Sequence, residues 1–133
     1  MGRLDKSAAK TPTVKVMPES KGSTLCVEMH GSISKEDYER NFRNRIIDIV
    51  KKDQDVNLLM YYTPDYKGWE PDAADLSFKS IVELGRKVGR QAYVNPPEKI
   101  FFRNAMSKAL FSGEMRYFPE TQLKEALEWV KGG

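Results

Sequence analysis

The chain has little of what most catalytic and metal sites are built from. Its 133 residues include one cysteine, Cys26, and one histidine, His30. A lone thiol cannot close an intramolecular disulfide, and one Cys with one His cannot furnish a zinc site. If both lie on one strand, four positions apart, their Cα atoms are about 13 Å from each other, too far for a thiolate–imidazole dyad. His30 reads as a structural or surface histidine and Cys26 as an inert thiol. Phosphate-cradling glycine loops are missing too: there is no GxGxxG after a strand and no GxxxxGK[ST]. Gly85-Arg86-Lys87-Val88-Gly89 ends a helical pattern rather than opening one, so Gly89 reads as a helix stop. These absences leave no catalytic set, no metal site and no cofactor to expect. Apolar runs fall short of the ~18 residues a membrane span needs, and the opening MGRLDKSAAKTPT lacks the apolar stretch of a secretory signal. The expected setting is cytoplasmic, reduced and soluble, without stable membrane insertion.

Charge of one sign is scarce once the first residues are set aside. The chain carries 22 Lys+Arg against 19 Asp+Glu, a net +3. Arg3, Lys6, Lys10 and Lys15 against Asp5 account for all of it within residues 1–15. The remainder is balanced, and basic residues do not interleave with aromatics along any strand, which argues against a nucleic-acid platform. Residues 1–12 read as a flexible extension, and 13–133 as a single domain of ordinary size.

What is present is a regular alternation of elements. Val14, Val16, Leu25, Val27 and Met29 repeat with period two around the turn-forming Pro18–Ser23, which predicts a hairpin with strands near 13–17 and 24–30. Ser34-Lys35-Glu36-Asp37 resembles a capping box with Asp37 where Glu is usual. It precedes a stripe of Tyr38, Phe42, Ile46, Ile49 and Val50, predicting a helix over 35–52. Val56-Asn57-Leu58-Leu59-Met60-Tyr61-Tyr62 is apolar on both faces, as a central strand must be when a sheet is covered on both sides. A helix over about 73–88, with Asp72 as its cap, leads to a strand at 90–94. Pro97 opens a third helix whose stripe includes Phe101, Phe102 and Met106 and which Gly113 stops. Met115–Phe118 is a last strand, and Pro119 begins a last helix carrying Leu123, Ala126, Leu127 and Val130. The order predicts an α/β fold: a β-hairpin followed by αβ crossovers, about five strands in a mostly parallel mixed sheet, and about four helices.

Chemistry is expected in the loop after the 56–62 strand, because ligands in α/β sheets bind beyond the C-terminal ends of parallel strands. Tyr61, Tyr62, Tyr66 and Trp69 fall within nine residues there. They either line a ligand or partner surface or pin the loop to the domain. Phe101 joins them as a candidate, because two adjacent phenylalanines cannot both enter one narrow face. Asp65, Glu70, Asp72 and Asp75 oppose Lys67 alone, so the expected site is acidic as well as aromatic. The ligand-binding candidates are Tyr62, Asp65, Tyr66, Trp69 and Phe101.

Three segments together carry a family likeness. Gly31-Ser32-Ile33-Ser34-Lys35-Glu36-Asp37-Tyr38, then Leu58-Leu59-Met60-Tyr61-Tyr62 with Tyr66-Lys67-Gly68-Trp69, then Gly113-Glu114-Met115-Arg116-Tyr117-Phe118 with Ala126-Leu127-Glu128-Trp129-Val130, resemble the SpoIIAA-like family of small bacterial proteins over about residues 13–131. The resemblance implies a STAS-like fold, related in shape to sporulation anti-sigma-factor antagonists and grouped with SEC14-like lipid-binding domains. It implies a non-enzymatic module that holds a small apolar or amphipathic, lipid-like ligand or a protein partner, and self-association as a homodimer is a further expectation. The antagonists carry a phosphorylated serine at the start of the corresponding helix. Here that region offers Thr63, which is the phosphorylation candidate, while Ser77 lies about a turn inside the helix. The alternative expectation is therefore a regulatory protein-interaction domain.

Overall fold

The computed structural model describes residues 11–132. Residues 1–10 of the expected extension lie outside them. Strand β1 (Val14–Val16) pairs antiparallel with β2 (Thr24–Met29), closing the predicted hairpin. A short β3 (Ser32–Ile33) leads into α1, residues 35–53. It is α-helical over Lys35–Tyr38, π-helical over Glu39–Arg43 and α-helical again over Asn44–Asp53. Then follow β4 (Val56–Tyr62), β5 (Gly68–Trp69), α2 (Pro71–Leu84), β6 (Val88–Val94), α3 (Glu98–Ser107), β7 (Met115–Phe118) and α4 (Leu123–Val130).

The main sheet runs β1-β2-β4-β6-β7, with every pair parallel except the first. Both faces are covered. Leu25, Val27 and Met29 join Leu58, Met60 and Tyr62 in a core under α1 and α2. Cys26, Leu59, Ala92, Val94 and Phe118 meet Ala126 and Val130 of α4 on the other side. This is why β4 reads as apolar throughout and why Cys26, on the alternate face of β2, is fully buried. The five-stranded mixed sheet with four helices is the architecture expected from the element order.

Three local expectations need correction. Val88 is the first residue of β6 rather than the last of a helix, because α2 ends at Leu84 and a 3₁₀ turn, Gly85–Lys87, follows. Gly89 therefore sits inside a strand. The side-chain oxygen of Asn57 accepts the Arg90 N–H at 2.9 Å there, where the β4–β6 register shifts. Gly113 does not stop a helix, since α3 ends at Ser107 and a 3₁₀ turn closes at Leu110. A Cβ on Gly113 would lie 1.7 Å from the Gly89 carbonyl oxygen, so this glycine permits a close passage of two backbones. Asp72 is in the first turn of α2, while Glu70 holds the cap position without a side-chain bond.

The cap of α1 draws on a third residue. Ser34 Oγ accepts the Asp37 N–H at 3.2 Å. Asp37 Oδ2 reaches out of the helix to accept both the N–H and the hydroxyl of Thr13, at 2.7 and 2.8 Å. Thr13 Oγ1 in turn accepts the Ser34 N–H at 3.0 Å. The start of the first strand is thereby tied to the first turn of the first helix.

Partial burial of Asp37 opposes ionisation, but the bonds from Thr13 and Ser34, with Arg40 nearby, outweigh it and hold the carboxyl below the usual range. A carboxyl lowered in the folded state stabilises above its ordinary pKa, and that stability is lost as the pH falls through the lowered value. Asp37→Asn is expected to cost about 1–3 kcal/mol near neutrality and to flatten the acid limb, as read by urea unfolding across pH 2–7. Gly113→Ala is expected to cost about 1–3 kcal/mol by overpacking, measured as a lower thermal midpoint.

Candidate functional site

Parallel strands β2 and β4 end side by side, and their exits are cross-tied. Thr63 donates its N–H to the Met29 carbonyl, Gly31 donates to Asp65, Lys67 to Gly31 and Glu70 to Ile33. Between them β3 and β5 form a two-stranded parallel ribbon, pairing Ser32 with Gly68 and Ile33 with Trp69. Gly31 and Gly68 have φ of 55° and 122°, which suits residues without a Cβ. The ribbon places Trp69 against α1, edge-on to Tyr38 with ring centroids 5.4 Å apart. Tyr66 meets buried Tyr62 edge-on at 4.9 Å.

Two cavities adjoin this cluster. The inner one, about 60 Å³, lies between the sheet and helices α1 to α3. Its walls are Met29, Phe42, Leu58, Met60 and Tyr62, with Ser77, Ser80, Gln91, Tyr93 and Asn104 supplying polar atoms. The outer one, about 290 Å³, is walled by Tyr66, Trp69, Phe78 and Ile100 and reached by Lys99. Trp69, Ser77 and Arg103 border both.

The polar atoms of the inner space are mostly engaged. Tyr93 donates to Gln91 Oε1 at 2.7 Å, and Asn104 donates to the Tyr117 hydroxyl at 3.2 Å. Arg43 from α1 donates to Ser80 at 2.8 Å and to Glu83 at 2.6 Å. Arg103 from α3 donates to Ser77 at 2.6 Å, with its guanidinium 5.7 Å from the centre of the Trp69 ring. Burial pushes the phenols of Tyr38, Tyr62 and Tyr93 up, Tyr62 and Tyr93 strongly. All three are neutral at physiological pH and suited to packing and hydrogen bonding rather than base catalysis.

The structure thus brings Tyr62, Tyr66 and Trp69 together and sets Phe101 and Asp65 apart. Phe101 is 46% exposed. It leans on Tyr117 at 4.6 Å in a separate cleft of about 740 Å³. Asp65 is exposed beside His30 and borders neither cavity. Tyr61 faces the α4 side, where its hydroxyl donates to Glu120 at 2.5 Å; that bond raises its pKa to about 12. The expected acidic character is also corrected. None of Asp65, Glu70, Asp72 and Asp75 borders either cavity, and the charged residues that do are Lys99 and Arg103. The acids are exposed, Asp65 and Glu70 on the loop and Asp72 and Asp75 near the start of α2, while the charge that meets the aromatics comes from α3, where Arg103 lies 34 positions beyond Trp69 in the chain.

Sequence reasoning passed over Arg103, Gln91 and Tyr38 as site residues. The available signal was Ser80 on the apolar face of α2, since a small polar residue there leaves room and needs a partner.

His30 gains neighbours that the sequence did not suggest. Its Nε2 is 2.8 Å from Glu28 Oε1, its Nδ1 is 3.3 Å from Asp65 Oδ1, and Thr63 Oγ1 lies 3.2 Å from Nδ1. The Thr63 hydroxyl is buried. It lies 2.9 Å from the Met29 carbonyl and in contact with the Asp65 carboxylate, both acceptors. This contact, opposed by slight desolvation of the carboxylate, lowers the Asp65 pKa with help from His30. Among the described residues, no group of three or more His, Cys, Asp or Glu is arranged to hold a metal ion.

Comparisons with known proteins agree on the fold. The family model described as SpoIIAA-like matches residues 24–131. A crystal structure of an uncharacterized protein of the DUF3478 family from Shewanella loihica PV-4, described as having a SpoIIAA-like fold, superposes with a TM-score of 0.69. It is 17% identical, and the alignment covers 92% of this chain and 97% of that one. No curated protein matches.

Cys26 is outside the site, fully buried under α4, and burial pushes its thiol up to about 11. Iodoacetamide at pH 8 is expected to leave the native protein unlabelled and to label it fully in denaturant, as counted by intact-mass measurement.

Proposed function

The chain belongs to the SpoIIAA-like family, and from that premise we propose that it is a non-enzymatic binding module that holds a small apolar or amphipathic molecule in the space beside Trp69. The observation that carries this reading is the pair of adjoining cavities, apolar-walled, with polar groups converging from α2, α3 and β6. That combination is the usual form of a small-molecule site. The volumes favour a compact occupant. An inner space of about 60 Å³ is less than half the roughly 150 Å³ that accommodates benzene, so it takes the end of a ligand whose body lies in the outer cavity. A long acyl chain does not suit it. The tyrosines with raised pKa values, and the absence of acids at the cavities among the described residues, argue for holding rather than transforming a ligand.

A second reading, docking of a protein partner, draws on the outer faces of α2 and α3. Phe102 and Met106, one turn apart, are each 72% exposed, and Phe78 and Val82 repeat the pattern on α2. Met106, on the apolar stripe expected of the third helix, thus faces outward. Phosphorylation of Thr63 fits the geometry less well, because its hydroxyl would first have to leave Met29 and Asp65. Among the described residues no helix is long and apolar enough to cross a membrane.

Titration of ¹⁵N-labelled protein with a panel of compact probes such as phenylacetate, phenylacetamide and hexanoate tests the binding reading. At least one is expected to move the Trp69 indole and Ser77 amide signals together, and Trp69→Ala is expected to weaken that probe at least tenfold, about 1.4 kcal/mol. A panel that leaves both signals in place would overturn it.

A further inference from the structure

Arg103 is unusual among the charged residues of this protein. It lies partly buried where the two cavities meet, donating to Ser77 and packed over Trp69. Among the described residues it has no carboxylate within salt-bridge distance. Arg43, the other arginine reaching a buried serine of α2, does have one: Glu83. A cation withdrawn from water without a counter-charge is costly, and a guanidinium presents several donors in a planar fork suited to an oxyanion. Lys99, one turn earlier on α3, adds a second positive charge to the outer cavity, and among the described residues no acid borders either space.

A second unmet group lies in the same region. Gln91 is 2% exposed, lines the inner cavity, and its Nε2 has no hydrogen-bond partner. A buried donor of this kind calls for an acceptor.

We propose that the site selects a compact organic anion, an oxyanion on a small apolar body, with Arg103 as the anion-binding residue and Trp69, Tyr66 and Phe78 flanking the body. This rests on the binding reading above and narrows it to a chemical class. The guanidinium already gives one N–H to Ser77, which fixes its plane and leaves its remaining donors for the ligand. Lys99 strengthens attraction at the mouth, and Gln91 takes an acceptor atom or a water at the inner end.

The test compares phenylacetate with phenylacetamide, which has nearly the same shape and no charge, by following the Trp69 indole signal in ¹⁵N-labelled protein. The acid is expected to bind at least tenfold more tightly than the amide, and the advantage to shrink as salt is raised. Arg103→Gln is expected to abolish the difference. Arg103→Lys, which keeps the charge and the aliphatic stem, is expected to retain part of it. Phenyl phosphate in a parallel titration tells a phosphate monoester from a carboxylate, and tighter binding of either than of the amide supports the proposal. Binding of both anions no tighter than the amide would overturn the anion assignment and leave the binding reading standing. Binding of none of the three probes would overturn both. A preference that survives in Arg103→Gln, with the amide spectrum otherwise native, would remove Arg103 from its role.

Discussion

The hydrogen-bonded seam between the exits of β2 and β4 governs the geometry of the site. Two parallel strands buried on both faces must release their chains at the same end of the sheet, and released chains tend to diverge toward their separate helices. Here they stay paired through Met29–Thr63, Gly31–Asp65 and Ile33–Glu70. The ribbon of β3 and β5 is two residues wide on each side, too small to stand alone. It holds because Ile33 is fully buried and Trp69 packs on Tyr38. Without the seam, the 63–70 segment would be an open loop and the outer cavity would lose a wall.

With that wall in place, the balance of polar and apolar groups becomes intelligible. The space under α1 and α2 is lined by large apolar side chains from the sheet, but α2 turns Ser77 and Ser80 toward it instead of leucines. Each serine accepts from an arginine on a neighbouring helix, Ser80 from Arg43 and Ser77 from Arg103. The two serines join three helices through charge-assisted bonds while leaving volume that larger residues would have filled. One arginine is neutralised by Glu83 and the other faces the cavity, so similar local chemistry serves a structural end in one case and leaves a charge available in the other.

Much of this arrangement was legible in the sequence. Period-two alternation in Leu25, Val27 and Met29, continuous apolarity in 56–62 and the helical stripe from Tyr38 gave the layers and their order. Those patterns report burial, and burial is what a one-dimensional pattern can encode. Tyr62, Tyr66 and Trp69 could be grouped because they are close along the chain. Arg103 could not be added to them, because its neighbour at the site is an aromatic from another crossover, and nothing local marks a surface-type residue as turned inward. The sign of the charge is illegible for the same reason: the acids adjacent in sequence to Trp69 are exposed and border neither cavity, and the cations arrive from α3. Gly89 and Gly113 were misread because a glycine needed for close backbone approach has the same letter as one that ends a helix.

The π-helical stretch in α1 solves a problem of angular phase. Tyr38 and Ile46 both border the inner cavity, eight residues apart. In an uninterrupted α-helix, at about 100° per residue, they would differ by roughly 80° in direction, and one of them would turn from the sheet. Counting the wider turn of Glu39–Arg43 as one inserted residue reduces the offset to roughly 20°. The wide turn thus acts as a timing correction that absorbs the extra residue and keeps the aromatic and aliphatic row over one wall. Losing one exposed residue here would convert the wide turn into an ordinary α-turn and leave Tyr38 and Ile46 still offset by only roughly 20°, whereas a further inserted residue would rotate the second half of the helix by about 100°. The wide turn therefore absorbs one residue of chain length without disturbing the face that meets the sheet.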